Sequence, residues 1–470
     1  MKRERVVLSL EGQLQGRQHG TYRLLMLMMR AALILAGLTG CADDEGVAAE
    51  RQVLKVLDSN ELSFNMYYGD YVNAAFPNVE IEVVPSAGIM DYKKSPEERL
   101  KRMKALIEEG KPDLILIQDQ DMYEALANEG LLDDLSFFLS KDKTLASHIY
   151  PGILEEMKRN RDGLLYGLSP DWRPQLLYYN EDLFRDLGIE PPSGAMTWAE
   201  MLQLAQRVTL SDTSDKGVIG FLPNLPGAGG LASLMALTEG FDIYPYRLSL
   251  GMMTANTPSW QHIYKTAIDS YRTGTFGSIG TEDISKQPLA SEGDQGQTDL
   301  FTQGRAGMVL GSYGAYEDVS FKLGATAPLV DEATRSRSYG VSSGFTMSIR
   351  AGSSLSKLSW DIIAFVMGDY ASKVRAGLDK GWNDQRLVPS NMTYMETVRD
   401  PFVKSVYEQL PAYLPSDGDL KLSSEAYQEI AGMLNREIAD QLMDKQTFDQ
   451  MIERMQEQGQ QILDRELKKE

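Results

Sequence analysis

Residues 162–208, DGLLYGLSPDWRPQLLYYNEDLFRDLGIEPPSGAMTWAEMLQLAQRV, contain two apolar, strand-like runs on either side of a polar interruption. The first run spans residues 164–168 and the second spans residues 176–179. Proline cannot donate a hydrogen bond to a sheet, so we expect Pro170 and Pro174 to prevent one continuous central strand. The pattern predicts a chain that passes from one packing unit into another, with aromatic side chains at the crossing.

Helix signals follow directly after the second run. Asn180 is a favourable N-cap, and Gly188 is the residue type that most often ends a helix. Residues 191–194, Pro-Pro-Ser-Gly, form a rigid turn, and Thr197 forms a capping box with Glu200. We therefore expect one helix between Asn180 and Gly188 and a second helix that begins at Thr197.

The chain before this stretch alternates strand-like and helix-like segments. Strand patterns cover residues 53–57, 79–84 and 113–118, and helix patterns cover residues 62–76, 97–109 and 122–128. The last of these strands, DLILIQ, is almost wholly apolar, as parallel strands covered on both faces are. This alternation predicts an α/β unit with a parallel sheet. Asp119 and Gln120 leave the carboxyl end of that strand, where open α/β sheets bind ligands.

Length and charge restrict the possible partners. A chain of 470 residues is longer than most single cores, so we expect two domains. The net charge of −20 would repel nucleic acid and anionic membrane surfaces, which argues against both as partners. The chain has 3 histidines, so a site that needs several of them is disfavoured. A small-molecule ligand, without a metal or a cofactor, fits these limits.

The N-terminal segment carries the features of an export signal. Arg23 precedes two apolar runs, LLMLMM and AALILAGL, and the residues LTGC that end at Cys41 resemble the lipobox of bacterial lipoproteins. We expect residues 1–40 to be a lipoprotein signal peptide, Cys41 to be lipidated and residues 41–52 to be an acidic tether. The alternative is a membrane span, which needs about 20 apolar residues, and Arg30 divides the run.

Motifs of two enzyme classes occur without the context that they require. Residues 340–344, GVSSG, match the G-x-S-x-G element of esterases, but a strand-like segment follows and no histidine comes after His262. Residues 227–232, GAGGLA, loosely match a dinucleotide fingerprint but follow prolines rather than a strand. The 67 acidic residues offer many carboxylate pairs for a glycosidase, and no local pattern marks one pair. We expect no catalytic site.

Aromatic and planar polar side chains recur at the expected strand ends and crossings. A sugar presents apolar C–H faces and a rim of hydroxyls, so its site combines flat rings with hydrogen-bonding side chains. Core packing is the alternative for any single aromatic residue, because aromatic side chains dominate cores. The residues with this chemistry are Asp119, Gln120, Trp172, Arg173, Tyr313 and Trp382.

Four segments carry the motifs of a known family. They are residues 111–135 (KPDLI to GLLDDL), residues 162–198, residues 301–308 (FTQGRAGM) and the tryptophan-containing helix at residues 356–365. Together they resemble the extracellular solute-binding proteins of bacterial ABC importers, specifically the maltose- and oligosaccharide-binding group. Residues 169–174 depart from the plainer strand that the family has at this crossing.

The resemblance implies a two-lobed α/β fold of the periplasmic-binding-protein type, with a ligand cleft between lobes joined by crossing strands. Residues 53–178 with about 340–380 would form the first lobe, and residues 179–339 with about 381–470 the second. Asp119, Gln120, Trp172, Arg173, Tyr313 and Trp382 would contact the ligand.

The same resemblance implies an extracytoplasmic, lipid-anchored monomer. It would capture a small solute, a sugar or an oligosaccharide, and deliver it to the membrane subunits of an ABC permease by closing its cleft. Such a protein breaks no bond, so we expect neither enzyme activity nor a cofactor. The alternatives are a ligand-sensing lipoprotein that serves a signalling receptor, and a surface glycosidase.

Overall fold

A computed structural model gives the fold of the chain. It describes residues 51–89, 94–159, 162–213, 217–222, 229–242, 244–273, 275, 300–339, 341–378, 387–396, 407–408, 410–412 and 422–468. Cys41 and Trp382 lie outside the described residues, as do the expected signal peptide and all of the tether before Arg51. Apart from residues 51–52 and 78–80, the described residues belong to one compact unit.

The helices and strands are numbered in chain order. The first part contains β1 (Gln52–Asp58), α1 (Glu61–Phe64), a π-helical turn (Asn65–Gly69), α2 (Asp70–Ala75), β2 (Val79–Pro85), α3 (Pro96–Gly110), β3 (Leu114–Ile117), α4 (Gln120–Asn128), α5 (Ser136–Lys141), α6 (Lys143–His148) and α7 (Pro151–Met157). The middle part contains β4 (Gly167–Leu168), β5 (Asp171–Asn180), α8 (Glu181–Leu187), α9 (Trp198–Ser211), β6 (Ile219–Leu222), α10 (Gly230–Thr238), β7 (Tyr246–Arg247), a 3₁₀ turn (Leu248–Leu250), β8 (Met252–Met253) and α11 (Pro258–Arg272). The last part contains β9 (Ala306–Ser312), β10 (Leu323–Thr326), β11 (Arg337–Ser338), β12 (Val341–Ser343), β13 (Thr346–Ile349), α12 (Ser356–Met367), α13 (Asp369–Leu378), β14 (Val388–Pro389), a 3₁₀ turn (Met392–Glu396), β15 (Leu410–Pro411), α14 (Ser424–Leu442) and α15 (Phe448–Glu466).

Two mixed sheets organise these elements. The first has the strand order β2-β1-β3-β13-β4, with β1 and β3 parallel and β13 antiparallel to both of its neighbours. The second has the order β10-β5-β9-β6, with β6 and β9 parallel and β5 antiparallel to β9 and β10. We call the first sheet with its helices the first lobe, and the second sheet with its helices the second lobe. The expected α/β architecture with parallel strands is confirmed.

Strand β5 runs without a break from Asp171 to Asn180, so the expectation that Pro174 would interrupt it is wrong. Strands β12 and β14 pair with the residues up to Pro174, whereas β9 and β10 pair with the residues from Gln175 onwards. Proline lacks an amide hydrogen. Pro174 lies where one hydrogen-bonded ladder ends and before the next begins, so its missing N–H does not interrupt the strand.

The local helix signals after β5 are confirmed. The Asn180 side chain accepts a hydrogen bond from the backbone N–H of Leu183, and Gly188 ends α8 in the left-handed conformation with a φ of 67°. Thr197 and Glu200 form a reciprocal capping box at the start of α9. These signals depend on neighbours in sequence, so they are independent of tertiary context.

The single helix expected at residues 62–76 is divided by the π-helical turn Asn65–Gly69. A Cβ atom at position 69 would lie 2.3 Å from Oδ1 of Asn65, so a larger residue there would displace the Asn65 side chain. The turn places Tyr68 in the core and leaves Tyr67 half-buried. Such turns are often found at functional sites.

The second lobe has a large core to which the C-terminal helices contribute. Ile430 and Leu434 of α14 and Met451 and Leu463 of α15 are buried in the same cluster as Trp260 of α11. In the described part of the chain, no helix is both long enough and apolar enough to cross a membrane.

The first lobe receives residues from late in the chain. Strand β14 pairs with the start of β5 and packs against α13, and Asn391 donates a hydrogen bond to the carbonyl of Met367 at 3.0 Å. Residues 387–396 therefore pack beside first-lobe helices, although the sequence division assigned them to the second lobe. The exact limits of the lobes stay a prediction.

Candidate functional site

The first-lobe half of the candidate site lies at the carboxyl ends of the parallel strands β1 and β3. Asp58 ends β1 and is followed by Ser59, while Gln118 and Asp119 follow β3. The Gln118 amide donates a hydrogen bond to the Ser59 hydroxyl at 2.6 Å, so the two strand ends are directly linked. This edge is where open α/β sheets bind ligands.

Asp58 is the most unusual group on this edge. Its side chain is 1% exposed, and Oδ1 accepts hydrogen bonds from the backbone N–H of Ser59 at 2.6 Å and from the Ser63 hydroxyl at 3.4 Å. Its other oxygen, Oδ2, has no hydrogen-bond partner among the described residues. Burial raises the pKa of this carboxyl above its usual range. A buried polar atom without a partner is costly, so its presence at this edge points to a functional role.

Asp119 and Gln120 are held by the first lobe itself. Asp119 caps α4 through the backbone N–H of Met122 at 3.0 Å and pairs with Arg99 at 3.3 Å. The Gln120 amide donates to Glu124 at 3.2 Å and accepts from the Ser343 hydroxyl at 3.4 Å. Gln120 therefore contacts strand β12, which pairs with the crossing strand β5.

An acidic pair with one arginine surrounds Gln120. Arg159 donates to both carboxylate oxygens of the buried Glu156, at 2.9 and 3.1 Å. Burial raises the pKa values of Glu156 and Glu124, and the charge of Arg159 partly opposes the increase. Because Arg159 is already paired, this cluster holds Gln120 in place rather than offering a cation to a ligand.

Tyr67 and Phe345 add an aromatic pair to the first lobe. Their ring centroids are 5.4 Å apart at an angle of 48°, and both side chains are half-buried. Tyr67 belongs to the π-helical turn, and Phe345 lies between β12 and β13. The pair offers partly exposed ring faces of the kind that sugars require.

Trp172 does not offer a ring face to a ligand, in contrast to the sequence prediction. The side chain is fully buried, stacks on Tyr150 with centroids 4.8 Å apart and meets Tyr407 edge to face at 5.5 Å. The alternation of β5 explains this result, because Trp172, Pro174 and Leu176 all face the core. Trp172 anchors the crossing strand to the first lobe.

The start of β5 is also held by a buried ion pair. Nε of Arg375, on α13, lies 2.9 Å from Oδ2 of Asp171, and both side chains are at most 10% exposed. The same guanidinium donates to the carbonyls of Val366 at 2.6 Å and Pro170 at 3.3 Å. Burial lowers the pKa of Arg375, but the charge of Asp171 and the neighbouring tyrosines oppose it, so that the net shift is upward. This part of the crossing is rigidly attached to α13.

The second-lobe half of the site is a cavity of about 390 Å³ beside the end of β9, which we call the β9 cavity. It is lined by Gln175, Trp198, Leu234, Thr238, Leu310, Gly311, Ser312, Ala315, Tyr316, Pro328, Leu329, Ser338 and Tyr339. Residues from β5, β9, β11, α9 and α10 therefore meet around one space. The residues directly after Leu310, Gly311 and Ser312, are part of this lining.

Most polar groups around the β9 cavity are already used within the fold. Nε1 of Trp198 donates to the Thr238 hydroxyl at 3.0 Å, and the Tyr178 hydroxyl donates to the Ser312 carbonyl at 3.0 Å. The Gln175 amide nitrogen lies 3.4 Å from the Ser312 hydroxyl, and its oxygen has no partner among the described residues. The Tyr339 hydroxyl likewise has none there, and its side chain is 46% exposed.

Arg173 and Tyr313 lie next to each other at the crossing. The backbone N–H of Tyr313 donates to the carbonyl of Pro174 at 2.9 Å, and Arg173 pairs with Ser342 of β12. Both side chains are half-buried. The Arg173 guanidinium has no hydrogen bond or ion pair with the described residues. Arg173 also shares a face of β5 with Gln175, because alternate residues of a strand point the same way.

Of the six residues chosen from sequence, the structure thus places Asp119 and Gln120 at the first-lobe edge and Arg173 and Tyr313 at the crossing. It buries Trp172 in the core. The pattern that selected Asp119 could have found Asp58, since both directly follow a strand of the parallel sheet. No local signal could have identified Gln175 and Tyr339, because distant segments bring them together.

A profile of the bacterial extracellular solute-binding proteins matches residues 63–371. The chain belongs to this family. Its members are binding proteins, and the matched residues include both halves of the candidate site except Asp58 and Ser59.

Several solved structures share the fold of this chain. The sugar-binding protein MalE from Xanthomonas citri superposes with a TM-score of 0.62 at 14% identity, over 88% of this chain and 98% of that chain. A family 1 solute-binding protein from Alicyclobacillus acidocaldarius gives 0.61 at 16% identity, over 88% and 98%. A cyclic α-maltosyl-1,6-maltose binding protein from Arthrobacter globiformis gives 0.56 at 16%, over 87% and 98%. These likenesses confirm the two-lobed fold.

A curated relative of this family member carries a different ligand in its name. The sn-glycerol-3-phosphate-binding periplasmic protein UgpB from Brucella abortus is 24% identical over 210 residues, which are 44% of this chain and 46% of the relative. The match therefore spans about half of the relative's length.

Proposed function

We propose that the protein captures a sugar or an oligosaccharide outside the cytoplasm and delivers it to the membrane subunits of an ABC permease. The observation that carries this proposal is that each lobe holds one half-site and that the crossing strand β5 contributes to both lobes. The Asp58 edge belongs to the first lobe and the β9 cavity to the second, and β5 contributes to both lobes. A ligand that contacts both half-sites would link the lobes.

Sugar chemistry fits the side chains at both half-sites. Gln118, Ser59 and Asp58 supply hydrogen-bonding groups at the first-lobe edge, and Tyr67 with Phe345 supplies ring faces. Hydroxyl-rich ligands with apolar C–H faces require this combination. The names of the Xanthomonas and Arthrobacter proteins, which include sugar and maltosyl-maltose binding, support the same class of ligand.

Cleft closure would convert binding into a signal for the permease. A ligand shifts an open–closed equilibrium only by its differential affinity for the closed state. Micromolar affinity corresponds to about 8 kcal/mol, which is ample for a closure of a few kcal/mol. No nucleophile or general base takes part in this mechanism, so we propose that the protein acts as a binding protein and not as an enzyme.

Attachment to the membrane forms a further part of the proposal. Cys41 within LTGC would carry the lipid after removal of residues 1–40, and residues 41–52 would serve as the tether of a monomer. Metabolic labelling with a radioactive fatty acid tests this part separately, with Cys41→Ser as the variant. Label that persists in the variant would exclude Cys41 as the modified residue.

The ligand itself is found by thermal unfolding of the purified chain against a panel of neutral mono- and oligosaccharides. A ligand at 100 times its dissociation constant adds about 2.7 kcal/mol to stability, which is a clear shift of the melting temperature. Small-angle scattering with the best sugar should then show a smaller radius of gyration. Absence of any shift across the panel would contradict the proposal, and release of a hydrolysed product would indicate a glycosidase instead.

A further inference from the structure

The residues around the β9 cavity indicate the charge of a ligand that can bind in it. Each of its lining residues is uncharged. The two arginines that shortly precede Ser338 are already paired, since Arg335 contacts Glu200 at 2.9 Å and Arg337 contacts Glu155 at 3.0 Å. A phosphate or carboxylate moved into the cavity would therefore lose its hydration without gaining a cation from the lining residues or from these two arginines.

Helix α9 begins at the cavity but does not provide an anion site either. Trp198, its first residue, lines the cavity, and the start of a helix normally attracts anions. Here the Glu200 carboxylate already accepts from the backbone N–H of Thr197 at 2.9 Å. A second negative charge beside Glu200 would be repelled.

Further carboxylates lie just behind the cavity wall. Glu239 follows the lining residue Thr238 and accepts from the backbone N–H of Glu332 at 3.1 Å. Asp331, two residues after the lining residue Leu329, adds to the same group. Burial raises the pKa of Glu239, and the neighbouring Asp331 and Glu332 raise it further against that hydrogen bond. These carboxylates would repel an anion, in keeping with the net charge of −20.

The unused polar atoms of the cavity suit a neutral ligand with hydroxyl groups. The Gln175 amide oxygen accepts a hydrogen bond, and the Tyr339 hydroxyl can donate or accept one. Leu234, Leu310 and Leu329 supply the apolar remainder of the wall. A volume of about 390 Å³ lies at the low end of small-molecule sites, so the space suits one ring better than a chain of rings.

We propose that the β9 cavity receives one uncharged sugar ring and that Gln175 and Tyr339 determine its specificity by binding the ring hydroxyls. The inference rests on the proposed function and extends it by excluding anionic ligands such as sugar phosphates, uronates and glycerol phosphate. Arg173 shares a strand face with Gln175, so it is the residue that an anionic ligand would need.

The test compares matched neutral and anionic probes on the full chain. The best neutral sugar from the thermal panel is titrated by calorimetry beside its uronic acid or 6-phosphate counterpart and sn-glycerol 3-phosphate. We expect the neutral sugar to bind at least about tenfold more tightly than each anion. We expect Gln175→Leu and Tyr339→Phe each to weaken its binding about tenfold, the effect of one lost hydrogen bond.

Two control variants separate this effect from general damage. Gln203→Leu and Tyr370→Phe make the same chemical changes at exposed positions and should leave the dissociation constant unchanged. All four variants should also keep the melting temperature of the unbound protein within a few degrees. A deoxy analogue lacks one ring hydroxyl. If Gln175 or Tyr339 binds that hydroxyl, the variant of that residue should bind the analogue and the parent sugar with equal affinity.

The possible results separate the inference from the proposed function. Tighter binding of an anionic probe, abolished by Arg173→Gln, would overturn the neutral-ring inference while solute capture stands. Neutral-sugar binding that Gln175→Leu and Tyr339→Phe both leave unchanged would overturn the assignment of these residues. No binding of any neutral or anionic probe would overturn the proposed sugar capture, and the inference with it.

Discussion

The two halves of strand β5 differ in what surrounds them. The half before Gln175 is locked into the first lobe, because Asp171 pairs with Arg375 and Trp172 is enclosed by Tyr150 and Tyr407. The half from Gln175 onwards lies in the second sheet, and its first residue lines the β9 cavity. One strand therefore serves as an anchor at its start and as a site wall after Pro174. Sequence alone could not distinguish these roles, since both halves contain aromatic and polar residues.

The largest effect is expected from a substitution that disrupts the anchored half of β5. Arg375→Leu removes the cation beside the buried Asp171 carboxylate, so we expect a loss of roughly 3–5 kcal/mol in the free energy of unfolding, measured in urea at pH 7. Arg185→Leu, which removes an arginine paired only at the exposed surface, should leave the urea midpoint unchanged.

A double variant sharpens this prediction. Asp171→Leu combined with Arg375→Leu removes both charges, so most of the lost stability should return. If the single Arg375→Leu variant were as stable as the natural chain, the anchor would not depend on this ion pair.

The next effect separates an anchoring aromatic residue from a ligand-binding one. Trp172→Phe leaves space between Tyr150 and Tyr407, so the unfolding free energy should fall by about 1–2 kcal/mol. The dissociation constant for the best sugar should not change, because Trp172 is fully buried. Trp198→Phe should weaken sugar binding instead, because it changes the wall of the β9 cavity and removes the hydrogen bond to Thr238. Weaker sugar binding by Trp172→Phe at unchanged stability would restore Trp172 as a ligand contact.

The same contrast explains how much the sequence could predict. Asn180, Gly188 and Thr197 act on backbone groups a few residues away, so the limits of α8 and the start of α9 were predictable. The role of Trp172 was not, because its partners Tyr150 and Tyr407 come from distant segments. Likewise, a proline in a strand is unfavourable in general, and Pro174 is accommodated only because the strand changes partners there.

The candidate site divides in the same way. Asp119 follows an obvious buried strand, so the rule for ligands at strand ends was enough to select it. Gln175 and Tyr339 belong to no motif and meet only when β5 and the segment after β11 fold around β9. Predicting such a cavity requires the tertiary contacts themselves.

Asp58 provides a test within the first lobe, to which the start of β5 is anchored. Its carboxyl is buried without a full set of hydrogen-bond partners among the described residues. Burial raises its pKa in the folded chain, so folding favours the protonated form and stability from this group decreases as pH rises above about 4. Asp58→Asn should therefore add about 1 kcal/mol to the unfolding free energy at pH 7 and nothing below pH of about 3.5.

Asp58→Asn should weaken sugar binding, although it should raise the stability of the fold. If Asp58 contacts the ligand, Asp58→Asn weakens sugar binding while it stabilises the fold, which is the signature of a residue retained for function. Asp318→Asn, at an exposed position, should alter neither quantity. Lower stability of Asp58→Asn at pH 7 would show that Oδ2 has a structural partner and would remove Asp58 from the site.

The smallest effect concerns the boundary between the two halves. Pro174→Ala adds backbone freedom to the unfolded chain at a position where one hydrogen-bonded ladder ends. The loss of stability should therefore stay below about 1 kcal/mol. Pro191→Ala, in an exposed turn, is the control and should lose a similar amount. The two variants should differ in sugar affinity. A looser boundary lowers the population of the closed form, so Pro174→Ala should bind a few-fold more weakly and compact less in scattering, whereas Pro191→Ala should match the natural chain. A loss of several kcal/mol in Pro174→Ala would mean that Pro174 lies within one rigid unit, and the change of role along β5 would then have to occur at another residue.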